Sequence, residues 1–289
     1  MMNWGIVAVL WAAMMASAVG QDDTNAIEKL TAARARALVA EHTGGELSLN
    51  GLTALSPEVA KVLAQHQGEL NLSGLTTLSD EAATALAEHS GAGLDLSGLT
   101  ALSPELAHAL AKHIGALVLN GLTTLSPEGA RALEEHKGWL SLNGLTALSP
   151  EVATALAKHE HTLVLSGLMA ISPDLADALA KPKGGLSLNG LTALSPEVAK
   201  ALVEHQGGLS LNGLPVLSDE VALVLANHKR DLFLSGLTTL SPEAAETLAK
   251  QKGAKRKGRL YLCGLTVLSP EAAEALRTHP HVMLPETVR

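Results

Sequence analysis

Ten leucines open ten closely similar segments of this chain: Leu47, Leu70, Leu94, Leu117, Leu140, Leu163, Leu186, Leu209, Leu232 and Leu260. They are 23 residues apart, except for one interval of 24 and one of 28, and the shared unit reads L-x-L-[N/S]-G-L-T-x-L-S-P-E-x-A-x-x-L-x-x-H. A fixed period of this length marks a solenoid, because each unit can bury its apolar side only against the next one. The 289 residues therefore form one elongated array, since a stack grows by adding units without splitting its core.

The unit beginning at Leu186 shows the local logic. Leu186 and Leu188 alternate with Ser187 and Asn189, the period of a short strand with one buried face. Gly190 gives a tight turn, and Leu191 and Leu194 return to the interior. Ser195-Pro196-Glu197 then starts a helix of about ten residues: Ser caps, Pro is preset for the first position and Glu complements the dipole. Ala199 and Leu202 lie three apart on one face, as in every copy from Ala60/Leu63 to Ala273/Leu276, and must point at the core. Helices about 8 Å apart on one side and strands about 4.8 Å apart on the other require curvature.

The expected architecture is an α/β solenoid: a curved array of about ten repeats with a parallel sheet of short strands on the concave side and short helices on the convex side. Residues 47–281 carry the repeats. Residues 21–46 read as an N-terminal capping helix, with Asn25 and Glu28 at capping-box spacing and Ile27, Leu30 and Leu38 as its buried stripe. Residues 282–289 read as a truncated strand that closes the other end. Residues 1–20 are uncharged, with an apolar run from Trp4 to Met15 before small residues, and read as a signal peptide or an uncleaved anchor. Either reading puts the repeats outside the cytosol, secreted or in the periplasm or cell envelope, with no membrane span if the segment is cleaved.

The pattern L-x-L-[N/S/C]-G-L-T-x-L resembles leucine-rich repeats, specifically the short bacterial, secreted type whose copies carry a helix opened by Ser-Pro-Glu. The resemblance covers about residues 47 to 284. It implies a right-handed solenoid used to hold a protein or glycan partner. One departure stands out: the common pattern has Asn three places after the second strand leucine, whereas here that place is leucine (Leu52, Leu75, Leu191) and Asn, Ser or Cys directly follows the strand.

Composition and motifs narrow the function. A net charge of -8 excludes general nucleic-acid binding, which needs clustered Lys and Arg. Walker, G-x-S-x-G, H-E-x-x-H, C-x-x-C and G-x-G-x-x-G arrangements do not occur, and the acidic residues of the helix starts are spread one per copy, so no enzyme, cofactor or metal is expected. The column Asn50, Ser73, Ser97, Asn120, Asn143, Ser166, Asn189, Asn212, Ser235 and Cys263 reads as structural, bonding turn backbone, with Cys263 a small buried substitute. The histidines that end the helices (His42, His66, His89, His113, His136, His159, His205, His228 and His279) read as C-caps favourable to the dipole when protonated.

Binding candidates come from the strand position that faces outward. It holds Ser48, Asn71, Asp95, Val118, Ser141, Val164, Ser187 and Ser210, then Phe233 and Tyr261 on adjacent strands. Trp139 sits just before a strand, and all three aromatics are expected at the surface, where aromatic anchors dominate recognition. Beside Tyr261 lies the irregular copy, whose basic run Lys250, Lys252, Lys255, Arg256, Lys257 and Arg259 could seat an anionic partner. The reading is a non-enzymatic extracytoplasmic module that binds a protein or glycan through its sheet face, most strongly near the C-terminal third. Its rival is a structural or assembly element of the cell envelope with no dedicated ligand.

Overall fold

A computed structural model describes residues 23–249, 258–277 and 281–286. Strands and helices alternate through these residues as an α/β solenoid. Eleven strands form one parallel sheet in which each pairs with the next copy's strand, from Glu46–Ser48 through Leu260–Tyr261 to Val282–Met283. The register is uniform: Leu47 faces Leu70, Leu94 faces Leu117, Leu186 faces Leu209 and Leu232 faces Leu260. The intervals of 24 and 28 residues are absorbed in the links, because a one-residue slip would turn a strand's leucines out of the core. A second, two-stranded sheet, Thr239–Leu240 with Val267–Leu268, joins the last copies between strand and helix.

The core is a leucine and alanine column shared by all copies. Leu186, Leu188, Leu191, Ala199 and Leu202 are all buried, and their equivalents recur along the array. Alanine lets neighbouring helices approach closely while leucines fill the space behind the sheet. The helices are shorter than the sequence suggests, seven or eight residues such as Pro196–Leu202. The last turn tightens instead of continuing: His205 N–H donates to the Leu202 carbonyl, three residues back.

The helix starts follow the capping expectation. Ser56, Ser103, Ser149 and Ser195 each accept from the N–H three residues on, with Pro at the first position. In two copies Asp replaces Pro after the cap, and Ser79 and Ser218 still accept. Removing one hydroxyl orphans an N–H at a helix end, so Ser195→Ala is expected to cost about 1 kcal/mol in urea unfolding, with an unchanged m-value.

The first helix differs from the capping-box expectation. It runs Ala32–Glu41 and is capped by Thr31, whose hydroxyl accepts from Arg34 N–H. Asn25 instead lies within a short 3-10 turn, Asp23–Ala26, and its Oδ1 accepts from Ser48 Oγ at 2.7 Å. It thus serves the first strand as Asn189 serves the strand after it, and the segment stacks as a partial copy of the repeat. The apolar run Trp4 to Met15 lies outside the described residues, among which no helix is long and apolar enough to cross a membrane.

Candidate functional site: the sheet face and the polar columns beneath it

The outward strand position is not the open row the alternation implies. Val118, Ser141, Val164, Ser187, Ser210 and Phe233 are all buried there. Strands only about 4.8 Å apart let each side chain lie against its neighbours, and the adjoining polar column closes over the small ones. Ser141 Oγ donates to Asn120 Oδ1 at 2.8 Å and Ser210 Oγ to Asn189 Oδ1 at 2.7 Å.

That polar column staples consecutive copies together. Asn120, Asn143, Asn189 and Asn212 each accept, at 2.7–2.9 Å, from the backbone N–H of the corresponding residue one copy later: Asn143, Ser166, Asn212 and Ser235. At Ser73 and Ser97 the acceptor comes instead from the outward strand residue, Asn71 or Asp95. The structural reading of the column therefore holds. Cys263 is the exception to its own expectation, because it is exposed. The strand after it, Val282–Met283, continues into Leu284 and Pro285 and lacks the L-x-L-N-G turn that covers this column elsewhere.

Glycine directly after the column has a stacking reason. Gly190 has no positive φ. A Cβ on it would overlap the Ser166 carbonyl oxygen and come within 2.7 Å of the Leu168 carbonyl oxygen, both in the preceding copy. Close approach between copies excludes a side chain here, whereas the sequence reading credited turn flexibility.

The histidine column also departs from expectation. His66, His89, His113, His136, His159, His205 and His228 are at most 2% exposed. Their rings stack, with centroids 6.4, 5.6, 6.2 and 5.9 Å apart along His66 to His159. His205 and His228 form a second stack at 6.5 Å, beyond the break at Pro182. Burial pushes the imidazoles of His89, His113 and His159 down to about 4, and those of His136 and His205 down as well. They are neutral at pH 7, so they do not serve as protonated helix caps. A ring nitrogen of His66 lies 3.1 Å from the Gly45 carbonyl and one of His159 lies 3.1 Å from the Gly138 carbonyl, tying each copy to the one before. The sequence carried a signal for this arrangement: His-x-Gly recurs at His66, His89, His113, His136 and His205, and a Cβ on Gly91 or Gly207 would run into the histidine two residues before it. His279 lies outside the described residues, as do Lys250, Lys252, Lys255, Arg256 and Lys257.

Three of the four described binding candidates, Phe233, Arg259 and Tyr261, come together at the C-terminal end of the sheet. Phe233 and Tyr261 are paired in register, their rings stacked at 4.3 Å and 9°. Phe233 is only 5% exposed, against the expectation of a surface ring, because Tyr261 lies across it. Tyr261 is half-buried and Arg259 exposed. Asp231 Oδ1 accepts from Arg259 N–H at 2.7 Å, and burial and the Asp231 charge push the Tyr261 phenol up, outweighing the Arg259 hydrogen bond. Met283 follows Tyr261 on the last strand, giving a short apolar run on this face. Trp139 is half-buried and lies several strands away, so it does not join this cluster.

The other end of the face is acidic. Glu46, Glu69 and Asp95 stand near one another, and burial together with those two neighbouring carboxylates holds the Glu69 carboxyl above its usual range. Among the described residues no group of three His, Cys, Asp or Glu could hold a metal ion.

No protein-family model matches the chain, and no curated protein matches it in sequence. Solved structures do share its form. A chain in the crystal structure of the yeast Rad7 and Elc1 complex superimposes with a TM-score of 0.51 at 15% identity, over 97% of this chain and 83% of that one. A Leptospira interrogans LRR protein gives a TM-score of 0.47 at 24% identity over 82% of this chain, which spans 59% of that protein's chain. An internalin from Listeria monocytogenes gives 0.36 at 13% identity, over 98% of this chain and 95% of that one. At these identities the likeness is one of fold.

Proposed function

We propose that this chain is a non-enzymatic extracytoplasmic recognition module that binds a protein or glycan partner through the C-terminal end of its sheet face. The observation that carries the reading is the Tyr261–Arg259 pair, resting on Phe233, at the end of a sheet otherwise lined by small buried or acidic side chains. An aromatic ring held flat from beneath and edged by a guanidinium combines a rigid contact surface with a directional cation. Phe233 becomes the support of this surface and not its contact. The basic run Lys250, Lys252, Lys255, Arg256 and Lys257 precedes Arg259 directly in sequence and supports an anionic partner. The yeast chain of the same fold was solved in a complex of two proteins, which supports a protein partner. The signal-like segment at 1–20 supports export.

The test uses cell-envelope extract as the source of partner. Tyr261→Ser with Arg259→Ala is expected to weaken capture at least about tenfold, the scale of losing one interface anchor, with the parent's circular dichroism retained. Equal capture by variant and parent would remove this surface from consideration. A second reading, an envelope assembly element without a ligand, is favoured by the buried serines Ser141, Ser187 and Ser210, which leave little of the central face for contact. Concentration-dependent self-association in sedimentation, with no captured partner, would select it.

A further inference from the structure

We propose that the five stacked imidazoles of His66, His89, His113, His136 and His159 form an acid-operated release, in which proton uptake unlocks the copies they join and opens this stretch of the array. The rings run through the links of consecutive copies, about 6 Å from centre to centre, and all are at most 1% exposed. A proton on any of them places a charge in a dry stack, next to a ring that takes a second proton only against repulsion. Neither ring nitrogen of His89, His113 or His136 makes a well-formed hydrogen bond.

No carboxylate is among the groups that act on His89, His113, His136 and His159, and half-buried Glu134, two residues before His136, is paired with Lys158 at 3.2 Å. The titratable groups that act on these rings are other rings: His66 on His89, His89 and His136 on His113, and His136 and His161 on His159. The remaining neighbours that act are backbone groups, including those of Gly68 at His89, Gly115 and Trp139 at His136, and Gly138 and Thr162 at His159, and burial outweighs them. The charged residues flanking the rings in sequence (Glu88, Lys112, Glu135, Lys137, Lys158 and Glu160) are exposed.

The sign follows from linkage. His89, His113 and His159 titrate lower folded than unfolded, so the unfolded chain binds more protons between about 6.5 and about 4. Their stabilising effect is complete above about 6.5 and is lost as pH falls toward about 4. With His89, His113 and His159 held near 4, unfolding takes up about 2.6 protons across these three rings. These three rings therefore raise the unfolding equilibrium constant ~400-fold between pH 5.5 and 4.5. Capping carboxylates such as Glu151 and Glu197, held below their usual range, begin to act as pH falls toward 4.5 and are common to parent and variant.

The experiment is urea unfolding of the full chain at pH 5.5 and 4.5, for the parent and for the triple variant His89→Gln, His113→Gln, His159→Gln. Glutamine already occupies this column at Gln251. Because the His136 and His205 rings act in both chains, the parent's change is expected to exceed the variant's by ~400-fold. A parent change below 10-fold, or a variant change as large as the parent's, overturns the proposal. If the variant does not fold, ring-proton NMR of the parent decides. No titration of the His89, His113 and His159 rings between pH 7.5 and 5.5 in the folded state supports the release, and titration near 6.5 with the fold intact overturns it.

Discussion

Gly190→Ala is expected to destabilise the array by about 3 kcal/mol or more, although it adds one methyl group at a residue with an unstrained φ. The methyl would overlap the Ser166 carbonyl oxygen, which is backbone of the preceding copy and has no rotamer to move to. Relief requires the two copies to separate, which lengthens the strand ladder and opens the leucine column behind it. Gly44, around which a Cβ would meet nothing within 4 Å, is the control, and Gly44→Ala is expected to change stability by less than about 0.5 kcal/mol. Urea unfolding of both variants checks this. A Gly190→Ala midpoint equal to the parent's would mean that the copies are not packed as closely as described.

Asn189→Ala has the next largest expected effect, a loss of about 2–3 kcal/mol. One oxygen, Asn189 Oδ1, accepts from both Ser210 Oγ at 2.7 Å and Asn212 N–H at 2.8 Å in the following copy. Truncation leaves a buried hydroxyl and a backbone donor without their acceptor, and such orphaned groups cost about 1–3 kcal/mol each when water cannot reach them. Amide hydrogen exchange gives a local readout. The Asn212 amide is expected to lose protection in the variant, while Asn143, bonded to Asn120, keeps it. Unchanged protection at Asn212 would contradict the staple.

The same columns separate what the sequence made legible from what it did not. The 23-residue period, the alternating leucines and Ser-Pro-Glu each specify local structure, and repetition places every copy in one register, so the sheet, the helix starts and the core followed directly. The aromatic cluster was half legible. In-register stacking brought Phe233 beside Tyr261, but alternation only says which side of a strand a residue faces, not how deeply the next strand's ring covers it. The histidines were misread because a helix-ending His has the same sequence appearance whether it meets water or another ring. Burial is decided by the preceding copy, and the glycine two residues later, needed where copies touch, was the available clue. Cys263 was misread for the converse reason: its column is covered by the following copy, and after Cys263 the pattern is incomplete.

The account stands on one claim, that successive 23-residue units lie side by side in a single register with their leucines inward. In-frame deletion of residues 188–210 tests it directly, against deletion of residues 188–209 as the control. The longer deletion puts Leu211 where Leu188 was and keeps every column, whereas the shorter one leaves Ser210 between Ser187 and Leu211, inside the strand where no link can absorb it, and turns Leu211 outward. Circular dichroism and urea unfolding are expected to show the 23-residue deletion folded, with the parent's signal per residue and a cooperative transition. The 22-residue deletion is expected to lose several kcal/mol or fail to fold. A 23-residue deletion that does not fold, or two deletions of equal stability, would contradict the claim.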